Sequence, residues 1–175
     1  MAVKLLLSPM ILVVLLDVVS NMMTPTTQNT SPQAPRSFTI RPIGKVHKSE
    51  SATTIEIDGK YEHALWGLDE FSHVWVFWWF DRNDTPSKRR TLVVHPRGDA
   101  RNPLTGVFAT RSPARPNLIA LTLCEVLAVE QNKIRVADID AFDGTPVIDV
   151  KPYLPQCDRA ENVRLPSWIR RSVRD

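Results

Sequence analysis

One loop of this sequence combines side chains that bind anions with residues that stiffen the backbone. It runs from residue 106 to 117, with the sequence GVFATRSPARPN. Pro113 and Pro116 each fix a φ angle and restrict the residue before them, so the loop should be rigid. Guanidinium groups offer a planar fork of donors that suits carboxylate or phosphate groups. The pattern favours an anion-binding loop over a structural turn with surface arginines, and the side chains it would direct are Arg111, Ser112, Arg115 and Asn117.

A second segment, residues 138–153 (DIDAFDGTPVIDVKPY), concentrates acids that could accept protons. Asp143 begins an Asp-Gly-Thr-Pro sequence, which is turn chemistry, so this acid could simply close a turn. Asp149 stands between two β-branched residues on a mostly apolar stretch. An acid in that setting needs a partner or a shifted pKa, and such acids are candidates for catalysis. An ion pair with Lys151 or with an arginine is the structural alternative.

Basic residues are concentrated in two parts of the chain, although the net charge is only +3. Between residues 82 and 101, basic residues outnumber acidic ones by six to two. Two such patches on a small domain suit a ligand that carries phosphate, whereas a solvated surface is the alternative. The second patch closes the chain and comprises Arg164, Arg170, Arg171 and Arg174.

Several common catalytic and metal-binding patterns are missing from the sequence. Cys124 and Cys157 lack the spacing of paired ligands and the histidines are scattered, so no metal site is expected. No glycines have the G-x-G-x-x-G spacing of a dinucleotide-binding loop, and alternating β-α units are missing. No Walker-type loop, nucleophile elbow or zinc-protease helix occurs. These absences exclude a Rossmann-type nucleotide site.

Short β-strands separated by turns account for most of the remaining chain. Alternating and β-branched residues predict the strands, and dipeptides such as Asp58-Gly59 and Asp143-Gly144 predict the turns. One short amphipathic helix is predicted from Lys60 to Leu68. The fold is therefore predicted to be all-β, a single closed or strongly curled β-barrel. The predicted extended segments are 38–46, 53–57, 71–80, 89–95, 118–129, 133–139 and 146–150.

The segment from Phe71 to Phe80, FSHVWVFWWF, is the strongest strand in the sequence. Its residues are mostly apolar or aromatic at both parities, which predicts a central strand covered on both faces. An aromatic platform for base stacking is the alternative, although such platforms usually alternate with polar positions. One small barrel has little room to bury both faces, and large exposed apolar patches are rare on monomers. We therefore expect this strand to contribute to a homodimer.

The first 36 residues differ in composition from the rest of the chain. Lys4 precedes an apolar run, residues 5–16, that is too short to span a bilayer as a helix. The run resembles a secretory signal but lacks a small-x-small cleavage site. It is either an export signal or membrane tether, or it is never made because translation starts at Met22 or Met23. Residues 24–36 form a polar, proline-rich tail, so we expect the folded domain to comprise residues 37–175.

The loop and the acidic segment together resemble the TsaA/TrmO-like family of S-adenosylmethionine-dependent tRNA methyltransferases. The resemblance includes GVFATRSPARPN, the following IALTL and DAFDGTPVIDVKPYLP. FSHVWVFWWF and RPIGKVH are similar to two further strands of the family, and the match extends from Ile40 to Asp158. The resemblance implies a single β-barrel, a dimer, and methylation of N6 of N6-threonylcarbamoyladenosine next to the anticodon. Such a substrate implies a cytoplasmic protein without a membrane anchor, which favours the later translation start.

The resemblance also implies roles for individual residues. The two motif segments would form the walls of one site, and a carboxylate, Asp143 or Asp149, would accept the proton of the carbamoylated N6–H. Donor contacts are implied for Arg111, Ser112, Arg115, Asn117, Thr145, Lys151 and Tyr153. Contacts to tRNA phosphates are expected from Lys88, Arg89, Arg90, Arg170 and Arg171, which lie in the two basic patches.

Two other functions are compatible with the sequence. The segment after the first strand is shorter than in most family members, and the extra C-terminal domain of long bacterial members has no counterpart here. A non-catalytic barrel that binds S-adenosylmethionine or RNA is therefore one alternative. A methyltransferase that acts on another acceptor is the other, and the basic patches favour RNA over a small neutral molecule.

Overall fold

The computed structural model describes residues 37–171, with side chains to residue 169. The predicted tail, residues 1–36, lies outside the described residues. From Ile40 onward the chain forms one compact unit. No helix within the described range is long and apolar enough to cross a membrane.

Six antiparallel strands close into a barrel, which confirms the predicted fold class. The barrel strands are β1 (Gly44–Lys48), β2 (Thr53–Ile57), β3 (His73–Trp79), β6 (Ile119–Glu130), β7 (Lys133–Val136) and β8 (Pro146–Pro152). Their order around the barrel is β1-β2-β7-β6-β3-β8. Two very short strands, β4 (Val93–Val94) and β5 (Thr105–Gly106), pair separately as a small ribbon.

Local sequence explains the hairpins of the barrel. In β2 the inward residues Ile55 and Ile57 are buried, whereas Thr54 and Glu56, which alternate with them, are partly exposed, as expected for a half-buried strand. The β6–β7 hairpin turns at Gln131, which adopts a positive φ of 52°. Asn132 stabilises this turn because its side-chain Nδ2 donates to the carbonyl oxygen of Ile57 at 2.6 Å. The predicted hairpin around residues 131 and 132 is thus confirmed.

Strand β6 is long enough to pair with two neighbouring strands, and this double pairing helps to close the barrel. Its first half, from Ile119 to Glu125, pairs with β3, and its second half, from Val126, pairs with β7. The register shifts between Val126 and Ala128, where a bulge bends the strand. A strand that serves two neighbours in this way turns the sheet through a corner without opening an edge.

The barrel interior is filled by apolar side chains from every barrel strand. Trp78 donates its indole N–H to the Thr122 hydroxyl at 3.1 Å, so this buried polar group is satisfied. The connection between β7 and β8 covers one end of the barrel, because its residues Ile139 and Ala141 are buried. The buried strand residues include Val46, Ile55, Ile57, Val74, Val76, Trp78, Ala120, Cys124, Ile134, Val136 and Val147.

The site-bearing residues lie mainly in a long excursion between β3 and β6, residues 80–118. It contains helix α1 (Pro86–Arg89), the β4–β5 ribbon and single helical turns at Asp81–Asn83, Pro96–Gly98 and Val107–Ala109. Two more short helices follow β8, namely α2 (Pro155–Asp158) and α3 (Ser167–Arg171). The barrel is therefore a scaffold, and its longest insertion carries the candidate chemistry.

Three local predictions differ from the structure. The sequence predicts a strand over residues 89–95, but only Val93–Val94 is extended there, because α1 and its proline occupy the preceding residues. The predicted helix from Lys60 to Leu68 consists of tight 3₁₀ turns, Gly59–Leu65 and Leu68–Glu70, separated at Gly67 with a φ of 78°. Along β3, alternate residues are buried and half-buried, so only one face packs in the core.

Candidate functional site

The excursion encloses a cleft of about 1100 Å³ beside the barrel. Four parts of the chain form it: the start of the excursion with Asn83 and Lys88, residues 94–98, the proline-braced loop (residues 106–117), and the segment from Leu165 to Ile169. We call it the excursion cleft. Its lining residues are Asn83, Lys88, Val94, His95, Pro96, Arg97, Gly98, Phe108, Ala109, Thr110, Arg111, Ser112, Pro113, Ala114, Leu165, Trp168 and Ile169.

The proline-braced loop is held by hydrogen bonds within itself. The Thr110 hydroxyl donates to the Val107 carbonyl at 3.0 Å and accepts the backbone N–H of Ser112 at 3.2 Å. The Ser112 hydroxyl accepts the N–H of Ala114 at 3.2 Å. Arg115 closes the loop by donating from Nη1 to the Thr110 carbonyl at 3.3 Å. The rigidity expected from the prolines is thus reinforced by side chains.

A second network anchors the far end of this loop to the barrel. Arg89 Nη1 donates to the Pro116 carbonyl at 3.1 Å, while Nε and Nη2 of the same guanidinium contact both oxygens of Asp84 at 2.7 and 3.0 Å. Asp84 also accepts the indole N–H of Trp79 at 3.2 Å. The Arg89 side chain holds the pKa of the Asp84 carboxyl below its usual value, with a further contribution from Trp79. Arg89 therefore positions the loop.

The turn that faces the loop across the cleft has an unusual backbone. Arg97 has a φ of 61° and Gly98 a φ of 69°, so both occupy the left-handed region. For a residue with a side chain this costs about 1–2 kcal/mol. His95 and Asn102 hold the turn, because His95 Nδ1 lies 2.8 Å from the Asn102 carbonyl and Asn102 Nδ2 donates to the Pro96 carbonyl at 3.0 Å. Backbone strain retained in this way is typical of functional sites.

The charge of the cleft is entirely basic among the residues that line it. Lys88, Arg97 and Arg111 line the cleft, and none of them has a salt bridge within the described part of the chain. No aspartate or glutamate of residues 37–169 lines it. In contrast, two neighbouring arginines are neutralised, Arg89 by Asp84 and Arg101 by Asp99. Cations that lie close together in the sequence therefore differ in the fold. Arg89 and Arg101 have carboxylate partners, whereas Lys88 and Arg97 line the cleft without one among the described residues.

The predicted donor contacts of the loop divide into two groups. Arg111 and Ser112 line the cleft, with the Arg111 side chain exposed. Arg115 is half-buried and directed onto its own loop, and it does not line the cleft. Asn117 is exposed beyond the cleft, next to the start of β6.

The acidic segment lies outside the cleft. Asp143 is exposed and accepts the backbone N–H of Lys48 at 2.9 Å, so it links the turn that precedes β8 to the end of β1. Thr145 is buried in the same turn. Asp149 is half-exposed on the outer face of β8 and pairs with Lys151 at 2.8 Å, which is the structural alternative considered from the sequence. The ring of Tyr153 packs edge-on against neighbouring rings on β3.

One contact nevertheless brings the acidic segment next to the excursion. The guanidinium of Arg82 lies 3.9 Å from the ring centroid of Phe142. Phe142 precedes Asp143, and Arg82 precedes Asn83, which lines the cleft. The acidic segment is therefore a neighbour of the start of the excursion, although it does not line the cleft.

The predicted phosphate contacts also have different surroundings. Lys88 lines the cleft, Arg89 is engaged as described above, and Arg90 is exposed at the end of α1. Arg170 and Arg171 belong to α3, and their side chains lie outside the described residues.

Sequence reasoning missed several residues of the cleft. Arg97 counted only toward the basic patch, and Phe108, which is 79% exposed, was not singled out. The signal that could have identified Arg97 is the Pro-Arg-Gly sequence. It predicts a tight turn, and the residue before the glycine lies at the tip of that turn. Trp168, from α3, is brought to the cleft only by the fold.

No metal site is indicated within the described range, and the buried cysteine is not a reactive thiol. Residues 37–169 contain no group of three or more His, Cys, Asp or Glu side chains placed to hold a metal ion. Burial, together with Asp140 and Asp138, raises the pKa of the Cys124 thiol to about 12. Cys124 is thus a neutral core residue at physiological pH.

The protein is a closed six-stranded β-barrel domain, and the cleft in its longest insertion is lined by cations and by no acid of residues 37–169, a lining suited to anionic ligands. The sequence profile of the tRNA-methyltransferase O N-terminal domain matches residues 31–159. The chain belongs to this family, as its motifs indicate.

Relatives of this chain are named for donor binding or for tRNA methylation. A probable S-adenosyl-L-methionine-binding protein of Methanocaldococcus jannaschii is 43% identical over 69% of this chain and 96% of its own. A human tRNA (adenine(37)-N6)-methyltransferase is 46% identical over 60% of this chain, but the match spans only 23% of the human protein. A crystal structure of TrmO from Pseudomonas aeruginosa superposes with a TM-score of 0.59 at 26% identity, over 77% of this chain and 62% of that one.

Proposed function

We propose that this protein transfers a methyl group from S-adenosylmethionine to N6 of threonylcarbamoyladenosine next to the anticodon of tRNA. The observation that carries the proposal is the excursion cleft, in which Arg111 of the proline-braced loop, together with Lys88 and Arg97, lies beside apolar and aromatic surfaces without a salt bridge among the described residues. Such a cleft suits a ligand that combines a planar base with anionic groups. The relatives named as adenine(37)-N6 methyltransferases support the choice of reaction.

The residues present fit the donor as well as the acceptor. S-adenosylmethionine supplies an activated methyl group on a sulfonium, which is already a good leaving group. Arg111 and Ser112 offer a guanidinium and a hydroxyl to a carboxylate such as that of the methionine moiety. The main task of the protein is then to align donor and acceptor and to exclude water. The loop is suited to that task because Arg115 and Arg89 donate hydrogen bonds to its backbone carbonyls and so fix the positions of Arg111 and Ser112.

The acids that we propose as proton acceptors, Asp143 and Asp149, are outside the cleft of their own chain. The same holds for the proposed donor contacts Asn117, Thr145, Lys151 and Tyr153. A catalytic role for them requires either approach through the Arg82–Phe142 contact or a site shared with a second copy. Asp149 and Lys151 pair in register with Phe77 and Trp75 on the outer barrel face, next to the surface that we propose for dimerisation.

Mass spectrometry of a reconstituted reaction tests the function. Purified protein, S-adenosylmethionine and tRNA that carries threonylcarbamoyladenosine should yield the N6-methylated nucleoside, and calorimetry should detect binding of the donor or its demethylated product. Failure of the folded protein to bind either compound would overturn the proposal. Donor binding without methylation of any tRNA would instead favour the non-catalytic module, the function that the names of the archaeal relatives describe. Methylation of another acceptor would favour the third function. Because the proposed substrate is a tRNA, we also propose that the protein acts in the cytoplasm.

We also propose a homodimer built on the outer face of β3 and β6. Trp75, Phe77 and Trp79 point away from the core and are half-buried. They are flanked by β6 residues that include Ile119, 36% exposed, and Leu123, 40% exposed. Together these side chains form a continuous apolar band on the outside of the barrel, of the kind that soluble monomers rarely expose.

Light scattering decides the oligomeric state. We expect a species of about 40 kDa, twice the chain mass of 19.8 kDa. Leu123→Glu should shift the mass toward the monomer, because it places a charge in the apolar band. Leu104→Glu, at a side chain 61% exposed in the excursion, is the matched control and should remain dimeric. A wild-type species near 20 kDa at micromolar concentration would contradict the dimer.

A further inference from the structure

The excursion cleft contains more unpaired positive charge than the methyl donor requires. S-adenosylmethionine has one carboxylate against an ammonium and a sulfonium, so it is a net cation near neutral pH. Arg111 alone could neutralise its carboxylate. Lys88 and Arg97 line the same cleft without a salt bridge among residues 37–169, and no acid of that range lines it with them. Like charges that line one cleft without a carboxylate partner among the described residues indicate a second anionic group as ligand.

Of these two cations, Arg97 is held in place by the fold. It occupies the left-handed region at the tip of a turn that His95 and Asn102 hold through hydrogen bonds to backbone carbonyls. Arginine is a poor choice for that backbone conformation, and glycine or asparagine would be favoured on stability alone. Arg101, four positions further on, is 90% exposed and is neutralised by Asp99 at 2.8 Å. The side chain of Arg97, rather than a requirement of the turn, therefore explains its presence.

The surroundings of Arg97 favour a small anionic group on a larger apolar ligand over a backbone phosphate. The cleft is concave, and its other lining residues include the exposed ring of Phe108, with Val94, Trp168 and Ile169. Phosphates of folded RNA lie on its outer surface and are usually bound by protruding cations. A planar base that carries an amino-acid substituent would place its ring on the apolar walls and its carboxylate on a guanidinium.

We propose that Arg97, assisted by Lys88, binds the carboxylate of the threonylcarbamoyl group and thereby selects tRNA in which the target adenosine already carries it. This inference rests on the function proposed above. It makes Arg97 a specificity-determining residue for that reaction.

The test compares two anticodon stem-loops, one with threonylcarbamoyladenosine and one with unmodified adenosine at the same position. Binding to the wild-type protein should favour the modified stem-loop. Arg97→Gly removes the cation but suits the left-handed backbone, so it should leave the melting temperature unchanged or higher. It should weaken binding of the modified stem-loop by roughly 10- to 100-fold, the usual effect of losing a hydrogen bond to a charged group. Binding of the unmodified stem-loop should change less than about twofold.

Two controls separate the possible outcomes. Arg101→Ala removes a nearby charge outside the cleft, so it should preserve the preference for the modified stem-loop. The methyl ester of the threonylcarbamoyl group should bind the wild type as weakly as the unmodified stem-loop does. Equal losses for both stem-loops in Arg97→Gly, with a reduced salt dependence, would show that Arg97 binds a phosphate and would overturn the proposal. The comparison measures binding and does not need turnover. A wild-type protein without methyltransferase activity would therefore contradict the proposed function, and the binding data would still test whether Arg97 recognises the carboxylate.

Discussion

Replacing Gly44 with alanine should unfold most of the protein or destabilise it by at least about 3 kcal/mol, beyond the usual cost of an overpacked core. Gly44 is buried where β1 pairs with β2 and β8. A Cβ atom at this position would lie 2.2 Å from the Glu56 carbonyl oxygen and 2.9 Å from Ile57 Cα. Both obstacles are backbone atoms of the paired strand, so no side-chain rotation can relieve the clash. Chemical denaturation measures the loss.

Gly59→Ala is the matched control for this prediction. No heavy atom beyond its chain neighbours lies within 4 Å of the Cβ position at Gly59, and its φ is not positive. The free energy of unfolding should therefore stay within about 1 kcal/mol of the wild type, with stabilisation as the expected direction. A Gly44→Ala protein with wild-type stability would show that β1 does not pair as closely with β2 as described.

Arg115→Ala should weaken ligand or tRNA binding by about 1.5–3 kcal/mol, the scale of a lost hydrogen bond that involves a charged group. From the sequence, the expected cause is a lost contact to the ligand. The structure suggests another route, since Arg115 donates to the Thr110 carbonyl and thereby holds Arg111 and Ser112 facing the cleft. Titration of the donor and of tRNA against the variant measures the loss.

Arg115→Lys distinguishes these two routes. Lysine keeps the charge but cannot reproduce the guanidinium geometry across the loop, so it should restore little binding if Arg115 acts by bracing. Arg135→Ala, at an exposed position on β7, is the control and should bind as the wild type does. A large fall in melting temperature with unchanged affinity would show that Arg115 supports the fold alone.

Most of the barrel could be predicted because its signals are local. β2 coincides with its predicted range, and the hairpin of β6 and β7 turns where the polar pair at residues 131 and 132 interrupts two apolar runs. Strand periodicity needs only neighbouring residues to be visible. The strand predicted over residues 89–95 was wrong for most of its length. The β-branched residues favour a strand, but α1, which begins with a proline, and a tight turn flank them and leave only the very short strand β4.

The composition of the candidate site could be predicted only in part. The proline-braced loop was identified, since prolines and arginines at close spacing are visible in any sequence. Arg97 and Trp168 were missed because their turn and helix are brought to the cleft by the excursion and by the chain after β8. Contacts between segments this far apart in sequence leave no periodic signal.

The sequence by itself determined that this protein is an all-β barrel of the tRNA-methyltransferase O N-terminal family, and it predicted a proline-braced loop suited to anions. The tertiary structure decided which cations are available to a ligand. Lys88, Arg89 and Arg90 are consecutive and alike in sequence, yet Lys88 lines the cleft, Arg89 joins Asp84 to the loop, and Arg90 is exposed. The physical reason is that neutralisation of a charge depends on distances of a few ångströms between groups that only folding brings together.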